Sequence, residues 1–350
     1  MTYIKKISFQ FLLLAALSAC ITPLDVNTVE GENTLVVEGY VTTELGPHEI
    51  IISRSAKYGD IFEGNPRKEE NALVSIRDGK GKISILNEGR AGYYYTSTDF
   101  RAEVGNSYTL LIETRNGERF TSFPQTVNKA PEIENLIYEY ELIQGAAGEF
   151  DYESNINVFV QFTDDLVSDD YYNFQINGIY RALTRPDLYT ISVDGVRIPA
   201  PKDCCAECYI YEDFRNADPL TDDRFRGKTV IQPAGVITDN GLRYLSAYQV
   251  EVKLLAINKD AYAFYSLYNS QQEIDGDIFD PPPAVLRSNM INITFPDKQT
   301  IGYFGAYDVS SYKKFIDLSI IEKFAPQREV RDDCRILDNS TIVPPADWEE

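Results

Sequence analysis

Ala72-Leu73-Val74-Ser75-Ile76-Arg77, then Asp78-Gly79-Lys80-Gly81, then Lys82-Ile83-Ser84-Ile85-Leu86 reads as a strand, a turn and a second strand. Ala72, Val74 and Ile76 share one side of an extended chain, and Ser75 and Arg77 the other. That period of two belongs to a half-buried β-strand. The glycine-rich four-residue link is turn chemistry between two such runs.

The same grammar extends in both directions. Upstream are the runs Leu35–Thr42 and Glu49–Ser53. Downstream are Gly92–Thr96, Ser107–Thr114 and Arg119–Ser122, with turn signals at Glu88-Gly89 and Asn116-Gly117. Several short strands at 8–12-residue spacing predict a β-sandwich over residues 35–127. Phe123 to Glu132, with Pro124 and Pro131, reads as a joint. A second, larger β-rich domain is expected over 128–325. Its strands are Ile133–Ile143, Asn155–Thr163, Tyr171–Ala182, Tyr189–Val193, Lys228–Ile237, Ala247–Asn258, Asn289–Phe295, Gly302–Val309 and Tyr312–Ile320, with a Gly145–Gly148 loop after the first. One segment reads as helix, residues 260–274. Asp260 stands where a cap belongs, and Gly276 and Pro281-Pro282-Pro283 lie beyond its end. The fold class expected is all-β with one notable α-helix. Residues 326–350 are a polar, proline-rich tail that needs an anchor.

The chain has 350 residues, 43% of them hydrophobic, with a formal charge of −21. So acidic a surface repels nucleic acid, and nucleic-acid binding is excluded as a function class. His48 is the single histidine and Trp348 the single tryptophan, against 24 tyrosines. Any Ser-His-Asp or Cys-His arrangement would have to use His48, and a histidine-based zinc site commonly uses two or three. No catalytic residue, metal site or cofactor is assigned from the sequence.

The N-terminus carries Lys5 and Lys6, an apolar run from Ile7 to Ala16, and Leu17-Ser18-Ala19-Cys20. That is the anatomy of a secretory signal, and a cysteine after Leu-Ser-Ala fits the bacterial lipobox. Residues 1–19 are read as a lipoprotein signal peptide, Cys20 as the lipidated residue, and 20–34 as a tether. Loss of Lys5 and Lys6 takes the formal charge from −21 to −23. Ile21, where many inner-membrane lipoproteins carry aspartate, favours the outer membrane. The leaflet stays open.

With Cys20 lipidated, Cys204, Cys205, Cys208 and Cys334 remain, an even number in an oxidising compartment. Disulfides are expected. One of Cys204 and Cys205 should reach Cys334, the other pairing with Cys208, because a bond between adjacent cysteines is rare. A four-thiolate zinc site is the alternative. Carboxylates cluster at Asp164, Asp165, Asp169 and Asp170, at Asp222-Asp223, and at Asp275, Asp277 and Asp280. In an acidic protein these read as solvated loops, and the Asp275–Asp280 cluster lacks the full spacing and closing glutamate of a calcium loop.

Residues 35–127 resemble the prealbumin-like regulatory domain found beside carboxypeptidases. The resemblance is carried by Ala72-x-Val74-x-Ile76-x-Asp78, Gly92-x-Tyr94, Gly105-x-x-Tyr108-x-Leu110-x-Ile112 and Gly117-x-x-Phe120. The whole chain is similar to a family of Bacteroidota lipoproteins, domain of unknown function 4249. The carrying residues are the lipobox, Leu35-Val36-Val37-Glu38-Gly39, Ile52-Ser53-Arg54-Ser55 with Tyr58, and the tyrosine-rich stretch Tyr262–Tyr268. Phe279-Asp280-Pro281-Pro282-Pro283, Gly302-Tyr303-Phe304-Gly305-Ala306, Asp333-Cys334-Arg335 and Pro345-x-x-Trp348 complete the set. Arg287-Ser288-Asn289 departs from it, lacking a glycine before the asparagine. The resemblance implies an envelope accessory role, often beside a TonB-dependent receptor, and no known activity.

The expectation is therefore a non-enzymatic outer-membrane lipoprotein that binds a ligand or partner, with a TonB-dependent receptor as the expected partner. Tyr303, Phe304 and Tyr307 are its candidate surface, since aromatics give large contact areas at interfaces. An extracytoplasmic hydrolase of glycan or peptide using paired carboxylates, and a purely structural envelope protein, stay open as alternatives.

Overall fold

The computed structural model describes residues 33–55, 67–144, 152–214, 218–272, 286–328 and 330–348. The signal peptide, Cys20, most of the tether, Tyr58, the Gly145–Gly148 loop, Ile274 at the expected helix end, and the stretch from Asp275 to Pro283 lie outside the described residues.

In chain order the principal strands begin with β1 (Leu35–Thr42), β2 (Glu49–Arg54), β3 (Leu73–Asp78), β4 (Ser107–Glu113) and β5 (Arg119–Ser122). Then come β6 (Ile133–Gln144), β7 (Tyr152–Thr163), β8 (Tyr171–Leu183), β9 (Glu207–Asp213), β10 (Thr229–Thr238) and β11 (Tyr248–Ile257). Helix α1 (Lys259–Gln272) follows, and then β12 (Met290–Asn292) and β13 (Thr300–Phe315).

The hairpin read from the sequence is present. β3 pairs with the strand Ile83–Ile85, Ser75 opposite Ile85 and Arg77 opposite Ile83. Asp78 ties the turn, its carboxylate accepting the Lys80 and Lys82 N–H groups at 2.9 and 2.8 Å. Val74 and Ile76 are buried, and Arg77 faces out. They meet Leu110, Ile112 and Phe120 from their own sheet, and Val37, Val41, Ile50 and Ile52 from the facing one, in a single core. This is a two-layer sandwich.

That sandwich does not end at residue 127. Met290 and Phe304 also lie in its core. β12 pairs with β5, and β13 runs parallel to β1, Leu35 opposite Thr300 through Thr42 opposite Tyr307. A boundary at 127/128 therefore does not separate two units of structure. Local periodicity cannot reveal a parallel partner some 260 residues away.

The upper half of β13 turns to other partners. Asp308–Phe315 pairs antiparallel with β11, β11 with β8, and β8 with β9. A three-stranded sheet, β6-β7-β10, lies against this half. Leu136, Val158, Val160 and Phe162 meet Phe174, Ile176, Val250 and Val252 in a second core. One strand thus serves two sandwiches, where the sequence predicts two separate strands, Gly302–Val309 and Tyr312–Ile320.

Helix α1 spans Lys259–Gln272, close to expectation. Its cap differs. Asn258, not Asp260, accepts the Ala261 N–H on its side-chain oxygen at 2.8 Å. The helix covers Leu255, Ile257, Tyr303 and Tyr307 in a third, smaller cluster.

The disulfides are Cys204–Cys205 and Cys208–Cys334. This corrects both expected pairings and leaves no four-thiolate set. Cys208 is carried into the core at the start of β9, and Cys334 sits fully buried in a 3₁₀ turn, with 5.7 Å between their Cα atoms. Cys204 is exposed. The tail is anchored as required, and Ser340–Thr341 also pairs with β9.

Candidate functional site

The three aromatic residues singled out on β13 are buried, which corrects their reading as an exposed surface. Exposure is 4% for Tyr303, 0% for Phe304 and 1% for Tyr307. Alternation explains the arrangement. Phe304 and Ala306 enter the core of the first sandwich. Tyr303 and Tyr307 project from the opposite face, beneath α1. Two glycines make the packing possible. At Gly302, φ is +93° and a Cβ would stand 1.9 Å from the Val37 carbonyl oxygen. At Gly305 a Cβ would meet the Tyr307 hydroxyl at 2.1 Å, so that ring lies across bare backbone.

The sequence's tyrosine-rich helix is what covers them. Phe264 packs on Tyr303 with ring centres 5.3 Å apart, Tyr265 on Tyr303 at 6.1 Å, and Tyr40 of β1 on Tyr307 at 5.5 Å. Phe264 and Tyr268 stack nearly parallel at 6.3 Å, and Tyr268 stays 43% exposed. Between helix and sheet runs a groove of about 330 Å³, walled by Val36, Tyr40, Phe264, Tyr265, Tyr268 and Ile301, with Glu38 at its edge. That volume lies at the lower end of the range for small-molecule sites. Val36, Glu38 and Tyr40 escape a sequence reading. Their signal is phase, since they alternate with Leu35, Val37 and Val41, which fill the core.

The phenols here are neutral hydroxyls. Burial pushes Tyr303, Tyr307 and Tyr40 above the ordinary tyrosine value, and Tyr265 up to about 12. The Tyr303 hydroxyl donates to the Gln125 side chain at 2.8 Å, and the Gln175 amide donates to the Tyr40 hydroxyl. These hydroxyls are used within the protein, so the groove itself offers aromatic side chains and one carboxylate.

Two acidic clusters of the sequence do converge. Ligand oxygens of Asp164, Asp170 and Asp222 lie within 4.8 Å of one another. Asp164 and Asp222 are buried, not solvated as expected. Their oxygens already have donors. Asp164 accepts from the Tyr172 hydroxyl, and from the Gly227 N–H at 3.0 Å. Asp222 accepts from the Arg226 guanidinium at 2.8 Å. The cluster ties the loops at the foot of β8 together. His48 packs edge-on to Phe100 at 5.8 Å, and burial lowers its pKa.

Among the described residues no helix is long and apolar enough to cross a membrane. A comparison with curated proteins gives no match. A family model described as "Domain of unknown function (DUF4249)" matches residues 21–313, and so takes in both sandwiches, α1 and the groove. The chain belongs to the DUF4249 family.

Proposed function

We propose that the protein is a non-enzymatic, lipid-anchored binding protein of the bacterial outer membrane, working beside a TonB-dependent receptor, and that the groove between α1 and β13 takes a saccharide. The observation that carries this is the groove's chemistry. The Phe264–Tyr268 aromatic pair matches the apolar face of a sugar ring, and the Glu38 carboxylate at the groove's edge matches its hydroxyls. Anchoring rests on Leu17-Ser18-Ala19-Cys20, and the receptor on the resemblance.

Titration calorimetry with xylo-, malto- and cello-oligosaccharides of four to six sugars tests the groove. Tyr268→Ala should weaken binding at least tenfold, about 1.4 kcal/mol, with Tm unchanged because this ring is 43% exposed. No binding by any oligosaccharide removes the saccharide. Turnover abolished by an Asp or Glu substitution would show an enzyme. Metabolic labelling with a fatty-acid analogue should mark the wild type and not Cys20→Ala. An unlabelled wild type ends the anchor.

A further inference from the structure

Glu38, Gly39 and Tyr40 line the groove and also a second cavity, of about 350 Å³. Alternation along β1 puts Val36, Glu38, Tyr40 and Thr42 on one face. Register carries that face across the sheet. Glu38 lies opposite Tyr303 on β13, Val309 opposite Leu255 on β11, and Lys253 opposite Gln175 on β8. Val309, Leu255, Lys253 and Gln175 all line the second cavity. The two hollows therefore lie side by side on one sheet face and meet at Tyr40. From Val36 in the groove to Thr42 in the second cavity the strand covers about 20 Å, at roughly 3.3 Å per residue.

The meeting point is fixed. The Tyr40 ring packs on Tyr307 at 5.5 Å, and its hydroxyl accepts from the Gln175 amide. Gln175 spends its N–H in that bond. Its side-chain oxygen takes no donor from the described residues, so it stands as a positioned acceptor on the wall of the second cavity. A side chain already held in place lowers the ordering cost of binding.

Charge narrows the ligand. Among the described residues Lys253 is the one cation lining either cavity, and Glu44 holds its ammonium at 2.7 Å. Burial lowers the pKa of His48, which adds no charge at neutral pH. Glu49 accepts from the Tyr95 hydroxyl at 2.5 Å, and Glu38 is left to accept from a ligand. An acidic sugar meets only like charge here. A neutral one meets aromatic rings, the Glu38 carboxylate and the Gln175 oxygen.

We propose that the two cavities form one extended site for a neutral, linear oligosaccharide laid across Tyr40, with Gln175 as the polar contact of its second half. This rests on the saccharide reading of the groove and adds to it a length, a charge and a residue.

Calorimetry with the xylo-, malto- and cello- series, from two to six sugars, tests it on the full-length chain. The affinity for the series that binds should climb at least tenfold between three sugars and six. Gln175→Ala should remove that climb, as should Ile51→Trp, which fills the second cavity and leaves the groove open. Neither should change Tm, the affinity for the trimer, or the loss of trimer binding caused by Tyr268→Ala. A six-unit oligogalacturonate should bind at least tenfold more weakly than the neutral hexamer. Equal affinity for trimer and hexamer overturns the extended site and leaves the groove standing. So does a climb that survives either variant, a trimer weakened as much as the hexamer by both, or an oligogalacturonate that binds as tightly. If no neutral sugar binds at any length, the groove and its extension fall together.

Discussion

Asp170 shows how burial of one carboxyl couples the fold to pH. Its pKa is pushed up to about 6, first by burial and then by the carboxylates of Asp165, Asp164 and Asp222, against a lowering hydrogen bond from Ser168. In the unfolded chain the group titrates near 4, about 3.9. Between those values the folded chain holds the proton more tightly. The stability this confers is complete below about pH 4 and is lost as pH rises through about 6. Asp170→Asn, which keeps an oxygen for Ser168, should therefore raise Tm by a few degrees at pH 8 and change it little at pH 4. Thermal melts of both chains across that range are the check, and an equal gain at both ends would refute it. The convergence itself was not legible in sequence. Asp164 and Asp170 announce a cluster, but Asp222 joins only because β8 brings its own start against Thr221.

At the scale of elements, the sequence spoke clearly wherever one face is buried and the other wet. β3 and β8 obey the period of two, and the helix declares itself by its length and its terminators. It was silent where signals are not local. The strand Glu207–Asp213 gives no periodic signal, because Cys208, Tyr209 and Ile210 form a continuous buried run without alternation. Tyr303 and Tyr307 stand out in the sequence, but the burial of their side of β13 depends on α1 lying over them. The start of α1 also depends on distant partners. Asn258 accepts from Ala261, donates to Gln125, and lies 2.9 Å from the Tyr303 hydroxyl. Asn258→Ala should cost about 1–2 kcal/mol, the upper range of cap loss, seen as a lower midpoint in urea with an unchanged slope. Asp260→Ala should be nearly neutral. If Asp260→Ala is the more damaging of the two, the cap is misassigned.

For the whole molecule the governing fact is β13, shared by two cores. Residues 33–128 alone lack β12 and β13, and with them Met290, Phe304 and Ala306 of the first core. That fragment should fail to show a cooperative melt, and residues 286–328 added in trans should restore part of it. A sharp melt from the fragment alone would mean that the sandwich stands without its distant strands. The shared strand also sets a schedule for biosynthesis. A ribosome adding 5–20 residues per second places roughly 10–35 s between residue 127 and residue 300. Throughout that interval β1 has its antiparallel neighbour and a naked opposite edge, the kind of template on which nascent chains stick to each other. A cell making this protein must keep its first third in custody until the last third arrives.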